Sequence, residues 1–321
     1  MTNLMISETA AFLLEQECCT ILTHRRPDGD TVGSAIALCR GLRALGKEAV
    51  IYENPQFTPR YLPYLAGLTG REVRGTVVAV DIAAEGLFPM GFSGVVDLCI
   101  DHHGSNSGYA ARGHVEGDRA ACGEILYDVL RAMDVTVDKA MADALYIAIT
   151  TDTGCFRYSN TTAHTFETAA MCAAAGARIY ELNQALFETN TLGKLKMQGW
   201  IVENMKMLAE GKMAICAIPR SVEEELGVTP DDMDNISSFP RTVAGVCVAA
   251  TLRETADGDT KISVRAVPGY DAAKVTEKFG GGGHKGAAGA SLKMSLAEAA
   301  LAVEKAMLEL GEDHGRNCHC R

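Results

Sequence analysis

The run Cys19-Thr20-Ile21-Leu22-Thr23-His24-Arg25-Arg26-Pro27-Asp28-Gly29-Asp30 decides the fold. Its first five residues, apolar and β-branched, predict a buried strand, and Pro27 and Gly29 then shape a loop. From Val32 to Leu45 (VGSAIALCRGLRAL) an apolar stripe at helical spacing stops at Gly46, a helix-terminating residue. A second strand, Glu48–Tyr52, follows at once. Thr76–Val80 and Val95–Ile100 repeat the buried-strand pattern. Strands alternating with helices indicate an α/β fold, a parallel sheet with helices on both faces and right-handed crossovers. Ligands of such sheets bind outside the carboxyl ends of the strands. His24, Asp28 and Asp30 stand at one of those ends.

The remainder of the chain divides in two. From about Ala120 to Leu208 the pattern is nearly all helical, with helices expected over Gly123–Met133, Lys139–Thr150, Thr162–Ala175, Tyr180–Phe187 and Leu192–Leu208. A new β-rich pattern then begins. Strands are predicted at Lys212–Ile218, Thr242–Arg253 and Lys261–Val267, and helices at Asp271–Phe279 and Ser295–Leu310. The expected organisation is a catalytic domain over 1–188, a helical linker over 189–211, a smaller α/β substrate-binding domain over 212–311, and a disordered tail over 312–321. The tail holds His314, Cys318, His319 and Cys320, but their spacing matches no structural zinc pattern.

Composition narrows the function. The 321 residues include 41 Asp+Glu against 30 Lys+Arg, a formal charge of −11, and the excess lies in residues 1–190 with 23 acidic and 14 basic side chains. So acidic a chain is a poor partner for long duplex nucleic acid, whose affinity comes from neutralised phosphates. The N-terminus has no basic region ahead of an apolar core, and no apolar run reaches membrane-spanning length. The eleven cysteines, among them Cys39, Cys99, Cys172, Cys216 and Cys247 in apolar runs, read as reduced core residues of a cytoplasmic protein.

The chemistry-bearing residues fall at the ends of apolar elements. His24…Asp28-Gly29-Asp30 follows the first strand, Asp81 the run Val77–Val80, Asp101-His102-His103 the run Leu98–Ile100, and Asp152 the run Ile147–Thr151. A lone Asp-Gly-Asp loop is equally an Asx turn or a helix cap. Independent capping must recur four times to explain the whole pattern, whereas strand ends of one sheet share a rim. Mixed imidazole and carboxylate donors suit Mn²⁺, Co²⁺, Zn²⁺ or Mg²⁺. A pair of such ions clamps a phosphoryl group and generates hydroxide near neutral pH.

In order, these four clusters resemble the motifs of the DHH phosphoesterase superfamily. Thr151-Asp152-Thr153-Gly154-Cys155-Phe156-Arg157-Tyr158-Ser159-Asn160-Thr161 is similar to the fourth motif of its nanoRNase/pAp-phosphatase branch, and Gly280–Gly289 (GGGGHKGAAG) to the glycine motif of the DHH-associated domain. The resemblance implies one metal on His24, Asp28 and Asp81, and another on Asp30, Asp81, His102 and Asp152, with Asp81 bridging. It implies a catalytic role for Asp81, for His103 as a donor to a phosphate oxygen or leaving group, and for Asp101 as an orienter of the histidines. Two divalent ions are expected, Mn²⁺ first, with Mg²⁺ or Co²⁺ as substitutes.

In the second domain the glycine run predicts a concave nest of amides suited to anions. With the family context, Arg265, Gly282, Gly283 and His284 become substrate contacts across an interdomain cleft, and Arg157 a weaker candidate. The implied activity is Mn²⁺-dependent hydrolysis of very short oligoribonucleotides and of 3′-phosphoadenosine 5′-phosphate (pAp) by attack of hydroxide. The rivals are a cyclic or linear dinucleotide phosphodiesterase and a non-catalytic nucleotide sensor, the latter requiring a lost metal ligand. A homodimer is common among such enzymes, though no interface is legible.

Overall fold

The computed structural model describes residues 1–229, 232–233 and 236–313. Two compact units form, Met1–Thr189 and Asn190–Arg321. In the first, the elements are β1 (Thr2–Asn3), α1 (Ile6–Glu15), β2 (Cys18–Leu22), α2 (Gly29–Ala44), β3 (Glu48–Tyr52), α3 (Leu62–Leu65), β4 (Thr69–Gly70), β5 (Thr76–Val80), β6 (Leu98–Asp101), β7 (Arg112–Val115), α4 (Cys122–Ala132), α5 (Lys139–Asp152), α6 (Ala163–Ala174) and α7 (Ile179–Asn183). All seven strands pair in parallel, in the order β1-β7-β6-β5-β2-β3-β4.

Strand order reverses between β2 and β5. The chain moves from β2 outward to β3, then returns to β5 on the other side of β2. Such a switch point opens a crevice at the carboxyl ends of the two strands. The residues after β2, β5 and the adjacent β6 are those the sequence marks.

Side chains alternate across the strands. Cys19 and Ile21 of β2, Val78 and Val80 of β5, and Leu98 and Ile100 of β6 join one core with α2, α4 and α5. The opposite face carries a thinner layer in which Leu22, Val77, Ala79 and Cys99 meet Phe88, Phe92 and Tyr109. The helices thus concentrate on one side, where the sequence predicts them on both faces. Helix α2 is buried all round its first fourteen residues apart from Arg40, as a helix wedged between a sheet and α5 must be. Its Gly29 and Gly33 permit that. A Cβ at Gly29 would stand 2.4 Å from the Thr151 side chain, and one at Gly33 2.9 Å from the Ala148 nitrogen.

The second unit comprises α8 (Leu192–Asn204), β8 (Lys206–Leu208), β9 (Met213–Ile218), α9 (Arg220–Glu225), β10 (Val248–Glu254), β11 (Thr260–Ala266), α10 (Ala272–Glu277), β12 (Gly282–His284), β13 (Ala287–Leu292) and α11 (Leu296–Asp313). Its mixed sheet has the order β12-β13-β11-β10-β9-β8. Three expectations change here. The stretch 189–211 is not one linking helix: α8 ends at Asn204, and its Met197 and Ile201 pack on Cys216 and Ile218 of β9. The glycine run is not a nest, because Gly282–His284 forms a strand paired antiparallel with β13. Helix α11 continues to Asp313, and the rest of the expected tail, with His314, Cys318, His319 and Cys320, lies outside the described residues. Cys39, Cys99, Cys172 and Cys216 are buried free thiols, and Cys247 lies buried in the core of the second unit.

Candidate metal centre and active site

Three adjacent strand ends and one helix end converge. After β2, Asp28 caps α2: its Oδ1 accepts the amides of Asp30 and Thr31 at 3.1 and 3.2 Å. Its Oδ1 also lies 3.4 Å from His24 Nε2, and Asp81 Oδ2 lies 3.7 Å from the same nitrogen. Across Asp81, the other oxygen Oδ1 lies 3.4 Å from His102 Nε2. That nitrogen is also 3.6 Å from Asp30 Oδ2 and 3.3 Å from Asp152 Oδ2. Asp152 arrives from the end of helix α5 rather than from a strand. Among the described residues, three sets of side chains offer ligand atoms within 4.8 Å of one another: His24, Asp28 and Asp81; Asp30, His102 and Asp152; and Asp81, His102 and His103.

The backbone aims these groups. Asp81 adopts φ +58°, the left-handed region that aspartate tolerates better than most residues. Its amide still donates to the Ile100 carbonyl at 2.9 Å, anchoring it beside β6. His24 and His102 each place Nδ1 on a backbone carbonyl, of Arg25 at 2.9 Å and of Arg119 at 3.1 Å. A carbonyl only accepts, so each Nδ1 is the donor, and each Nε2, on the carboxylate side, is the atom left to bind a metal once it sheds its proton. His103 Nδ1 sits 2.8 Å from Asp101 Oδ1, and Asn106 holds Asp101 Oδ2 at 2.7 Å.

Asp30 has a further support that sequence reasoning missed. At the N-terminus of α4, the Cys122 amide donates to Oδ2 at 2.6 Å and the Gly123 amide to Oδ1 at 2.9 Å. Ser34 adds a hydroxyl at 3.1 Å. Backbone amides carry no residue signature, so only the preceding-loop position of Ala120–Gly123 hinted at them. Asn106 was missed too, although its place three residues past His103 is a readable cue.

Electrostatics describe an unneutralised cluster. Burial, then the charge of Asp28, pushes the Asp30 carboxyl up to about 6, against the pull of His102 and the two amides. Burial pushes Asp81 and Asp152 well above the carboxylate range, with neighbouring Asp30 and Asp28 adding to it. Burial opposes charge on His24, yet Asp28 and Asp81 outweigh it and push the imidazole up to about 9. His102 rises likewise through Asp30 and Asp152 despite its burial. In Asp101, burial is outweighed by the donors from His103 and Asn106, and its carboxyl is held low. Crowded carboxylates cannot all ionise without cations. Asp81 Oδ1 is moreover buried with no hydrogen-bond partner, an acceptor awaiting an electrophile. The donor set therefore fits divalent ions.

The substrate candidates lie in the second unit. Arg265 of β11 and His284 of β12 both register with Ala287 of β13, so they occupy one face of the sheet. Gly282 and Gly283 are exposed on β12. Arg157, the weaker candidate, donates its Nε to the Gly154 carbonyl at 2.5 Å and so braces its own loop.

Fold and clusters together define a metal-dependent hydrolase of the phosphoesterase type. Residues 19–149 match the DHH family, N-terminal domain, and residues 210–309 match the DHHA1 domain. The bifunctional oligoribonuclease and PAP phosphatase NrnA of Thermus thermophilus is 32% identical over 278 residues, spanning 85% of this chain and 83% of that protein. Its namesake in Bacillus subtilis is 27% identical, over 85% of this chain and 89% of its own. The crystal structure of an exopolyphosphatase-related protein from Bacteroides fragilis superposes with a TM-score of 0.87 over 97% of each chain at 19% identity, a likeness of fold. The chain belongs to the DHH family.

Proposed function

We propose that this protein is a Mn²⁺-dependent phosphoesterase of the cytoplasm that hydrolyses very short oligoribonucleotides to mononucleotides and removes the 3′ phosphate of pAp. The carrying observation is Asp81, whose two oxygens are divided between His24 on one side and His102 on the other. On this reading His24, Asp28 and Asp81 hold one ion, and Asp30, Asp81, His102 and Asp152 hold the second. Bound there, such ions supply Lewis-acid stabilisation of a phosphoryl group and lower the pKa of water.

The chain's own residues do the rest. The amides of Cys122 and Gly123 fix Asp30, and the carbonyl of Arg119 fixes the His102 ring. Asp101 accepts the Nδ1 proton of His103 in a hydrogen bond and so orients the ring; in its imidazolium form Nε2 also carries a proton that can pass to a phosphate oxygen or leaving group. Arg265 and His284, with the backbone at Gly282 and Gly283, serve as substrate contacts on the second unit. The relatives' names, oligoribonuclease and PAP phosphatase, support the substrate class.

The test is hydrolysis with Mn²⁺ of pAp, RNA dimers to pentamers, a 24-mer, pGpG and cyclic di-AMP. Turnover of pAp and the short RNAs is expected, with the 24-mer resistant. Cleavage of pGpG or cyclic di-AMP alone replaces the reading with a dinucleotide phosphodiesterase. Tight binding without turnover of any substrate replaces it with a nucleotide sensor.

A further inference from the structure

Beyond β7 no strand ladder holds the chain, among the described residues, until α4 begins at Cys122. Between them runs the loop Glu116-Gly117-Asp118-Arg119-Ala120-Ala121, turned by the Arg119 amide, which donates to the Glu116 carbonyl at 3.1 Å. Its end nevertheless holds three candidate ligands through backbone groups. The Arg119 carbonyl accepts from His102 Nδ1 at 3.1 Å. The Cys122 and Gly123 amides donate to the two oxygens of Asp30. The Ala120 carbonyl accepts from Asn160 Nδ2 at 3.1 Å, and the same nitrogen donates to the Asp152 carbonyl at 3.1 Å. Residues 119–123 are thus a backbone template for Asp30, His102 and Asp152, which form one ligand grouping. No hydrogen bond among the described residues runs from this template to His24 or Asp28, which belong to another grouping.

The Arg119 side chain braces the template from behind. Its Nε donates to Glu116 Oε2 at 2.5 Å, and its Nη2 to Asp128 Oδ2 at 3.0 Å. Both are charge-assisted contacts from the rigid fork of one guanidinium. They tie the residue after β7 to the second turn of α4, and so fix the loop at both ends. The carboxylates are supported in turn: Glu116 Oε1 lies 2.7 Å from His114 Nε2, and Asp128 Oδ2 lies 3.2 Å from His164 Nε2. The side chains of Arg119 and Asp128 are only 20% and 16% exposed, so this pair is screened less than a surface ion pair. Glu124, fully buried on α4, has neither carboxylate oxygen hydrogen-bonded among the described residues. Burial opposes charge on Arg119, yet Glu116, Asp128 and Glu124 outweigh it and hold the guanidinium above its usual pKa.

We propose, on the two-ion reading above, that Arg119 is a positioning residue for a single metal subsite. Its clamp between Glu116 and Asp128 sets the template that holds Asp30, His102 and Asp152, and leaves the His24–Asp28 side alone. The guanidinium itself makes none of the template's contacts. Replacing it keeps every amide and carbonyl in the chain and loosens only the loop that carries them. Groups that stand behind metal ligands typically contribute about 10–100-fold in metal affinity.

The experiment titrates full-length, chelator-treated wild type, Arg119→Gln and Asp128→Asn with Mn²⁺ in a calorimeter. Wild type is expected to bind two ions. In Arg119→Gln one ion should bind about 10–100-fold more weakly, while the other keeps its wild-type affinity. Asp28→Asn, which keeps a helix-capping side chain but weakens the opposite ion, identifies which one. Combined with it, Arg119→Gln should weaken the ion that Asp28→Asn spares. Asp128→Asn should show the same selective loss by less, and carries the test should Arg119→Gln not fold. A merely structural arginine would lower the melting temperature and leave both affinities alone. Unchanged affinities in a folded variant, or an equal loss of both ions, overturn the clamp and leave the functional reading in place. Wild type that binds fewer than two ions overturns that reading and the positioning role together.

Discussion

Gly33 of α2 lies so close to Ala144 of α5 that a Cβ built on the glycine would stand 2.2 Å from the Ala144 carbonyl oxygen. This contact sets the spacing of the two helices that carry Asp30 and Asp152. The obstacle is backbone, which no rotamer change relieves. Gly33→Ala must push the helices apart, at a cost of about 1–3 kcal/mol for overpacking, and must weaken Mn²⁺ binding as Asp30 and Asp152 separate. Urea denaturation and calorimetric Mn²⁺ titration check both. A useful control is Gly199 in α8, where an added Cβ meets nothing within 4 Å. There Ala should stabilise by about 0.5–1 kcal/mol. Equal effects at the two glycines would remove the argument from helix spacing.

Asp101 sits outside all three ligand groupings, yet it is fully buried and holds His103 Nδ1 at 2.8 Å. Asp101→Asn substitutes a weaker acceptor and turns an NH₂ toward either His103 or Asn106. Both are donors on their present contacts, so the His103 tautomer or the Asn106 bond must give way. The expected result is a kcat loss of about 10–100-fold, the usual consequence of removing a carboxylate behind a functional histidine. KM and Mn²⁺ stoichiometry should change little. A variant that loses a metal ion instead would place Asp101 among the ligands.

Much of this site was legible because strand ends and residue chemistry coincide. His24, Asp28, Asp30, Asp81, Asp101, His102 and His103 each follow an apolar β-branched run, and the winding of a parallel sheet gathers such positions by itself. Asp152 was legible as the end of an apolar element, although that element is a helix. The amides of Cys122 and Gly123 and the carbonyl of Arg119 were not, since backbone groups have no side-chain signature. The strand Gly282–His284 was hidden for another reason: glycine has no β preference, and the strand forms because β13 supplies a partner in register.

The direction of the pKa shifts fixes a pH dependence for chelator-treated protein. Asp30 rises from 3.8 to about 6 and His24 from 6.5 to about 9, while Asp81, Asp152 and His102 also rise. In every one of these groups the folded state holds a proton that the unfolded chain releases sooner. Stability is therefore present at the acidic end and lost as pH climbs through the folded values. Asp28 and Asp101 are lowered and oppose this only as pH falls below the ordinary carboxylate value of 3.8. The metal-free Tm should decline from about pH 5 to about pH 9. Saturating Mn²⁺ should cancel or reverse the slope, because ligands must shed their protons to bind. A metal-free Tm that rises over the same interval would contradict the clustered-carboxylate picture.

Asp81→Asn is the most discriminating substitution. Asparagine has nearly the same shape and also tolerates the left-handed backbone that Asp81 occupies at φ +58°, so the fold should persist where alanine would add strain. Where the pH is high enough to ionise Asp81 despite its raised pKa, the change removes one negative charge from a cluster whose members repel one another, so there the metal-free protein should melt at a higher temperature than wild type. The same change takes away the carboxylate whose oxygens reach toward His24 and His102. Hydrolysis of every substrate should fall by more than the roughly 10–100-fold that outer partners of a metal site cost. Calorimetry should count at most one Mn²⁺ in the variant and two in wild type. Two ions bound with wild-type affinity would end the bridging role of Asp81, and a higher metal-free Tm alongside lost activity would separate lost chemistry from lost folding.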